Sequence, residues 1–540
     1  MAKEILPAIY SDIGPIIKNT NAENLTNCIP VAMDDQMIGV HPRNQFTDTA
    51  LVTPAASTDR GRGVTAFGGQ YDLYCDEDTY YYDGGSQDMT ATAGAGYAGN
   101  TGFNEEYLAS FIQYNQTGVN NLVIVNAGHS STHASATLGN IWYQPTAGAA
   151  PVIVTDIDAP GGTSNTIPLI RGGVSLDGYL FVANIQGTIY NCDLDDITSW
   201  SALSFITAER EADIGVYLGK HHDHVVYFGT KGIEFFYDNA NSSGSPLQRR
   251  NDIFHSVGCY YPNSIVEVGD IIYFIGTDNS GWSRIYKLEN FNIDPISTPK
   301  IEKELRDLAA GTYPDITALD SLMHDVYMTS MTLHDSDGLL FTMQGLKSWY
   351  WHQTTNKWCA WNFGASVTYG GAVGTDWSTS FPIVSANRVS ASGTASRFQF
   401  TNGWIVYEAE PGGDSGIDDI AEANTPTSMV IFKTHDANTN ERKRYNSVRV
   451  LTEPRADSSA SFDAVQATIR WFDYDTAQSA PVAPTSFTGD RVVDLTSSRA
   501  SVYRCGAAII RQFLLDFSGH CSGEAVIVKG LEVDYDILRG

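Results

Sequence analysis

Apolar residues are arranged along this chain in a unit that recurs six times: an apolar run at strand length, a Gly-bearing turn, and a second run ending in aromatic or aliphatic residues. The copies are NLVIVNAGHSSTHASATLGNIWYQ from Asn121, GYLFVANIQGTIYNCDL from Gly178, HVVYFGTKGIEFFYD from His224 and DIIYFIGTDNSGWSRIYKL from Asp270. Two looser ones are GLLFTMQGLKSWYWHQTTNKWCAW from Gly338 and SRFQFTNGWIVYEA from Ser396. Their starts lie about 45 to 70 residues apart, the period of a four-stranded propeller blade with variable outer loops. The inner runs are apolar almost throughout because both faces of such a hairpin press on neighbouring blades, and Gly187 supplies the turn conformation that reverses the chain. About six blades are expected over residues 61–422, near 121, 179, 224, 270, 338 and 397. The hairpin GQYDLYCDEDTYYYDGG at 69–85 would close the ring with the segment near Trp404; a seventh blade is the alternative. Strands at 180–190, 224–238 and 270–288 are then hairpins of successive blades, with Gly187, Gly232 and the Gly276 to Gly281 stretch in turns.

Past the acidic, turn-rich EPGGDSGIDDIAEANTPTS the texture changes. NSVRVLTE, ATIRWFDYD, RQFLLDFSG and EAVIVKGLEVDYDIL alternate as strands of an antiparallel β-sandwich, expected over residues 423–540. Residues 1–60 read as an extended N-terminal segment with the character of an interface arm. The convincing helix is IEKELRDLAAG, Ile301 to Gly311. The fold class is all-β: about six propeller blades with a C-terminal antiparallel sandwich.

Charge narrows the partners. Lys and Arg number 33 against 62 Asp and Glu, a net charge of -29 spread along the chain. Such a surface repels the nucleic-acid backbone, so wrapping of DNA is disfavoured, whereas an acidic wall lets a polyanion slide past. Seven cysteines without a CxxC pair read as reduced structural thiols made in a cytosol. The N-terminus lacks the pattern of a secretion signal, and no apolar stretch reaches the roughly 18 residues of a membrane span, so no membrane insertion is expected.

Within this frame the segment from Gly229 to Leu305 resembles a known family. FGTKGIEFFYD carries Gly229, Gly232, Ile233, Glu234 and Phe236; GCYYPNSI carries Gly258, Pro262 and Ser264; IIYFIGTD carries Gly276; and ISTPKIE carries Ser297 and Thr298. These are similar to the signature of the tail hub, or nozzle, proteins of short-tailed bacteriophages (podoviruses), also called packaged-DNA stabilisation or tail accessory proteins. RCGAAIIRQFLLDFSG followed by LEVDYDI resembles the domain that ends many of them, and the likeness extends over Thr166 to Gly540. The resemblance implies a homo-hexameric ring in the virion tail below the portal and its adaptor. Such a ring would hold packaged DNA, give it an exit channel and bear needle, fibre or tailspike proteins. It implies assembly in the host cytoplasm and no cofactor.

Chemistry of other kinds finds weaker footing. His221, His222 and His224 could be metal ligands, but they flank a turn, and alternation puts His222 and His224 on one side and His221 on the other. HDSDG from His334 and CDLDDI from Cys192 lack the distal Glu of a helix-flanked calcium loop, so turn chemistry accounts for them. VSLDGYLF and HDSDGLLF each fall one residue short of the S-x-D-x-G-x-x-W turn of glycan-cleaving propellers, and no isolated carboxylate pair stands out. No G-x-S-x-G elbow, P-loop or H-E-x-x-H is present. Catalytic and metal residues are therefore expected to be none. Basic residues cluster at Arg249 and Arg250 and at Arg442, Lys443 and Arg444, candidate tips for docking an acidic neighbour. The rivals to a structural virion protein are a glycan-cleaving tail enzyme and a monomeric propeller that binds a host partner.

Overall fold

The computed structural model describes residues 2–8, 25–33, 38–43, 46–48, 61–68, 71–75, 79–82, 85–88, 107–128, 138–161, 167–241, 243–278, 280–309, 326–333, 337–343, 347–362, 383–387, 396–400, 405–408, 429–433, 435–454, 466–474, 488–495, 500–517 and 526–538. By their contacts the residues form two compact units, each built from separated stretches of chain: 50–331 with 383–406, and 1–49 with 332–382 and 407–540. The boundaries expected from texture, 1–60, 61–422 and 423–540, are drawn differently.

The first unit consists of small antiparallel sheets, named here blades I to VI. Blade I holds Gly63–Phe67, Tyr71–Cys75, Thr79–Tyr82 and Gly85–Asp88. Blade II holds Ser110–Gln116, Val119–Ala127, Gly139–Gln144 and Val152–Ile153; blade III holds Val174–Leu176, Tyr179–Ala183, Thr188–Asp193 and Asp196–Thr207. Blade IV runs Gly215–His221, His224–Gly229, Ile233–Asp238 and Leu247–His255, with Arg171–Gly172 parallel to its first strand. In blade V both Val257–Cys259 and Val266–Val268 pair with Ile271–Asp278, followed by Ser283–Glu289 and Asn292–Pro295. Blade VI contains Ile383–Asn387, Arg397–Phe400 and Ile405–Glu408. The hairpins at 180–190, 224–238 and 270–288 thus fall in three separate sheets, as the repeat requires.

Continuous apolarity of the inner strands has the expected cause. On blade II, Val123, Val125 and Ile141 pack against Leu180, Val182 and Trp200 of blade III, whereas the alternate residues Leu122, Ile124 and Trp142 pack against Leu73 and Tyr80 of blade I. The same alternation couples III to IV through Phe181, Ile189, Leu218 and Phe236, and IV to V through Phe228, Phe235, Ile272 and Phe274. Each strand serves two cores, which leaves no polar face inside. Tight reversals sit where positive φ is tolerated, as at Asp177 and Gly178 (φ 49° and 85°). Gly276 corrects the expected turn stretch: it lies within the strand Ile271–Asp278, opposite Arg284, while Gly281 is in the turn (φ 79°).

Blades VI and I are neighbours. The Val64 N–H donates to Ser385 Oγ at 3.1 Å and the Gly63 N–H to Gln399 Oε1 at 2.7 Å, and Gln399 Nε2 donates to the Cys75 carbonyl at 2.9 Å. They remain separate sheets, so the 69–85 hairpin belongs to its own four-stranded blade and does not complete the one near Trp404. The helix α1 spans Pro299–Ala309, starting two residues before the expected Ile301 because Pro299 fits the first helical turn.

The second unit has two sheets. One orders Cys28–Ala32, Ile38–Pro42, Val526–Ile537, Lys443–Pro454 and Ser501–Ala508, with Ala2–Pro7 also on Val526–Ile537. The other joins Asp337–Met343, Lys347–His352, Lys357–Trp361, Leu25–Thr26, Met429–Ile431, Ile510–Asp516, Gln466–Tyr474 and Gly489–Asp494. Tyr445 of the first lies edge-on to Phe513 of the second, ring centroids 5.8 Å apart, and the Arg511 guanidinium sits 4.4 Å from the Tyr445 ring. The first 49 residues therefore supply paired strands, and the copy from Gly338 is part of this unit's second sheet.

Candidate functional site: the signature segment and the axial cavity

The signature residues form the seam between blades IV and V. Gly229 closes the first inner strand of the seam: its N–H donates to the Gly232 carbonyl at 2.9 Å, and a Cβ there would overlap the Asp213 carboxylate that caps the Lys231 N–H at 3.0 Å. A Cβ on Gly232 would stand 2.7 Å from the Phe254 ring. Ile233 and Phe236 enter the two cores either side of blade IV. Glu234, 4% exposed, accepts the Arg210 N–H at 2.9 Å and lies 2.9 Å from Arg249 Nε; burial raises its pKa. Gly258 brings blade V's first strand against the Thr230–Lys231 turn so closely that a Cβ would overlap the Thr230 carbonyl oxygen.

Pro262 opens a 3-10 turn whose carbonyl accepts Arg171 Nη1 at 2.7 Å, and the buried Ser264 hydroxyl donates to the Tyr261 carbonyl at 2.7 Å. Gly276 is small for packing: a Cβ would stand 2.6 Å from Val257 Cγ1. Ser297 Oγ accepts the Ile285 N–H at 3.2 Å, and Thr298 caps α1 through its Oγ1, 3.4 Å from the Ile301 N–H. The family-like pattern is thus a set of close approaches and caps rather than a set of reactive groups.

The basic candidates separate into engaged and open groups. Arg249 is tied to Glu234 and donates to the Thr207 carbonyl at 2.6 Å; Arg250 pairs with Asp252 at 2.7 Å and contacts His224 Nε2 at 3.1 Å. Lys443 is enclosed: its ammonium donates to the carbonyls of Thr439, Glu441 and Ile509 at 2.7, 3.0 and 2.7 Å, and burial lowers its pKa. Arg442 reaches the Ala507 carbonyl at 3.4 Å, and Arg444, 61% exposed, faces Asp536 at 3.3 Å. Of the expected tip, Arg442 and Arg444 face outward and Lys443 does not.

The histidines converge on one ring. Phe291, in a turn with φ 63°, has the His221, His222 and His224 rings at 5.0, 5.6 and 4.9 Å; Arg250 stands over its face at 5.1 Å and His255 Nε2 contacts its carbonyl at 2.9 Å. Burial first, then the neighbouring His222, holds His221 down to about 4; burial also lowers His224 and His255. No group of three or more His, Cys, Asp or Glu able to hold a metal occurs among the described residues. CDLDDI is a hairpin turn in which Asp196 Oδ1 accepts the Thr198 N–H and hydroxyl at 2.9 and 2.6 Å; His334 of HDSDG lies outside the described residues. Six cysteines are buried, with Cys192 and Cys259 pushed up by burial to about 11 and about 12; Cys521 lies outside the described residues.

One group that the spacing did not announce lines a cavity of about 560 Å³ bounded by innermost strands of blades I to VI and by Met328, Thr329 and Ser330. Arg171 donates to the Pro262 carbonyl and stacks 5.4 Å over the Tyr217 ring. The Tyr217 hydroxyl and the Lys220 N–H both donate to Glu267 Oε1 at 3.2 Å. Glu267 keeps an exposed face toward the cavity, and desolvation by the surrounding strands pushes its carboxyl up to about 7. Three stretches of chain supply this chemistry, so no local motif marks it.

The geometry defines an all-β, propeller-type protein. Residues 116–366 match the family model described as Bacteriophage P22 Gp10, beta-propeller, a phage-stabilisation family, so the resemblance to phage tail hub proteins holds over that part of the chain. The matched family is a structural phage protein. No curated protein matches the chain. Among solved structures, the crystal structure of an ancestral GH74 enzyme aligns with 13% identity over 69% of this chain and 53% of its own, TM-score 0.37. Raptor of Chaetomium thermophilum aligns with 10% identity over 68% and 29%, TM-score 0.38. The computationally designed Ika8 protein aligns with 8% identity over 68% and 100%, TM-score 0.35. The chain thus spans about half the length of the first of these. No helix among the described residues is long and apolar enough to cross a membrane.

Proposed function

We propose that this chain is the hub or nozzle subunit of a short phage tail, a ring of copies below the portal and adaptor that retains packaged DNA and gives it an exit channel. The observation that carries the reading is the overlap between the matched family segment, 116–366, and the blade IV to V seam, where Gly258, Pro262, Ser264 and Thr298 each have a geometric reason. The ring is taken to be hexameric, to bear needle, fibre or tailspike proteins and to act without catalysis or cofactor.

Charge supports passage over capture. A net charge of -29 per copy leaves duplex DNA no run of cations from which to release counter-ions. Retention is then mechanical. The test is a particle assembled with and without the chain: DNA should leak in its absence, while the isolated ring shows no retardation of duplex DNA at physiological salt, where the Debye length is about 8 Å. Particles that keep their genome without it, or tight salt-sensitive binding by the isolated protein, would refute the reading. Depolymerisation of host glycan, abolished by a single Asp or Glu substitution, would replace it with an enzyme.

A further inference from the structure

The axial cavity holds a carboxylate with no cation against it. The two acids buried among the described residues, Glu234 and Asp516, each face an arginine, at 2.9 and 2.8 Å. Glu267, desolvated by the strands around it, is built differently. Its two hydrogen bonds come from the Tyr217 hydroxyl and the Lys220 N–H, both on Oε1 at 3.2 Å, and among the described residues no cationic side chain stands within 4 Å of it. The cations nearest in chemistry are turned to carbonyls instead: Arg171 Nη1 to those of Pro262 and Ile265 at 2.7 and 3.3 Å, and Lys220 Nζ to that of Ser175 at 3.4 Å. Gly219 makes room for the carboxylate, since a Cβ there would stand 2.5 Å from Glu267 Oε1 and 2.9 Å from the Tyr217 ring. Glu267 and Lys220, both exposed, line the same cavity of about 560 Å³, and Glu267 Oε2 takes no hydrogen bond from the described residues.

We propose that this cavity binds a small zwitterion of the amino-acid type, its ammonium held by Glu267 and its carboxylate by Lys220. Opposite charges set on one cavity without pairing to each other select a dipolar occupant, because a ligand of a single sign is attracted by one group and repelled by the other. Arg171 adds to the penalty for a ligand that carries only positive charge. A bare metal ion fits poorly, since one carboxylate falls short of the oxygen shell that hard cations require and the volume is that of a pocket for an organic molecule. The site lies within the propeller unit and stands whether or not copies of the chain form a ring.

The test is calorimetry on the full chain with 4-aminobutyrate and 6-aminohexanoate, and with butylamine and butyrate as single-charge controls. At pH 8 at least one zwitterion should bind about tenfold or more tightly than either control. Glu267 must be ionised to hold an ammonium, and its carboxyl sits at about 7 with Arg171, Tyr217 and Lys220 as the charged and titratable groups facing it, so affinity should fall roughly tenfold from pH 8 to pH 6. Glu267→Gln keeps an acceptor for Tyr217 and Lys220 and should lose both about tenfold in affinity at pH 8 and the pH dependence, a change that a merely structural role would not produce. Lys220→Gln, at an exposed position, should melt like wild type and lose about tenfold while keeping the pH dependence; it decides the matter should Glu267→Gln not fold. Absence of binding by both zwitterions at about 10 mM, a control that binds as tightly as they do, or an unchanged affinity in Lys220→Gln would overturn the site.

Discussion

Acidification should loosen the seam between blades IV and V through the histidines around Phe291. His221 is fully buried, its ring packed edge-on to Phe291, and its pKa is held down to about 4 from the ordinary 6.5. A histidine depressed in the folded state binds its proton more readily when unfolded. Its contribution is therefore fully present above pH 6.5 and is lost as pH falls toward 4. With 1.36 kcal/mol per pH unit, the loss relative to pH 7 is about 2 kcal/mol at pH 5 and about 3 kcal/mol at pH 4. His224 and His255, also lowered, act in the same direction. Glu267 opposes them: a carboxyl raised to about 7 gains a proton in the folded state first, so it adds stability as pH falls from 7 through 4.5. Charged neighbours at the cluster are Arg250, Asp252, Asp223 and Asp270, the last 3.8 Å from His222 Nδ1. The contribution of His221 is isolated by comparison with His221→Gln, whose amide oxygen can accept the Phe291 N–H now 3.3 Å from His221 Nε2. Hydrogen exchange of amides in 215–229 and 271–289 reads the opening free energy of the seam directly. The gap between wild type and variant should shrink or reverse by about 2 kcal/mol between pH 7 and pH 5. A gap that stays constant over that range would refute the argument.

Gly258→Ala should cost about 3 kcal/mol or more, read as a lowered unfolding midpoint, because the new Cβ meets the Thr230 carbonyl, backbone that can yield only by parting the blades. Ile157→Ser, on an exposed side chain, should change the unfolding free energy by less than about 0.5 kcal/mol. Arg249→Ala should destabilise by about 2 kcal/mol by leaving buried Glu234 without its ion-pair partner, and Arg249→Ala with Glu234→Gln should recover part of it in chemical denaturation. Lys443→Met should cost about 2 to 4 kcal/mol in the second unit, since three carbonyls lose their donor; a neutral result would mean that water replaces the ammonium.

What was legible in the sequence follows from where the information is stored. Strand pairs in the inner blades are written locally: an apolar run, a turn residue and a second run decide a hairpin, so 180–190, 224–238 and 270–288 could be placed from sequence. The sequence assigns Gly276 to a turn because a glycine before a turn and a glycine under close neighbours look alike; the Val257, Phe274 and Tyr286 side chains around it distinguish the two. Lys443 was grouped with Arg442 and Arg444 by adjacency. Alternation along Lys443–Pro454 turns it to the opposite side, where the carbonyls of Thr439, Glu441 and Ile509 enclose it. Sheet membership was least legible of all. Leu25–Thr26 pairs in parallel with Lys357–Trp361 and antiparallel with Met429–Ile431, a join across more than three hundred residues that no local period records. The Arg171, Tyr217 and Glu267 group was hidden for the same reason, its members drawn from separate stretches into one cavity. Chemistry carried by one hairpin can be read from a single sequence, whereas chemistry assembled by ring closure needs the ring.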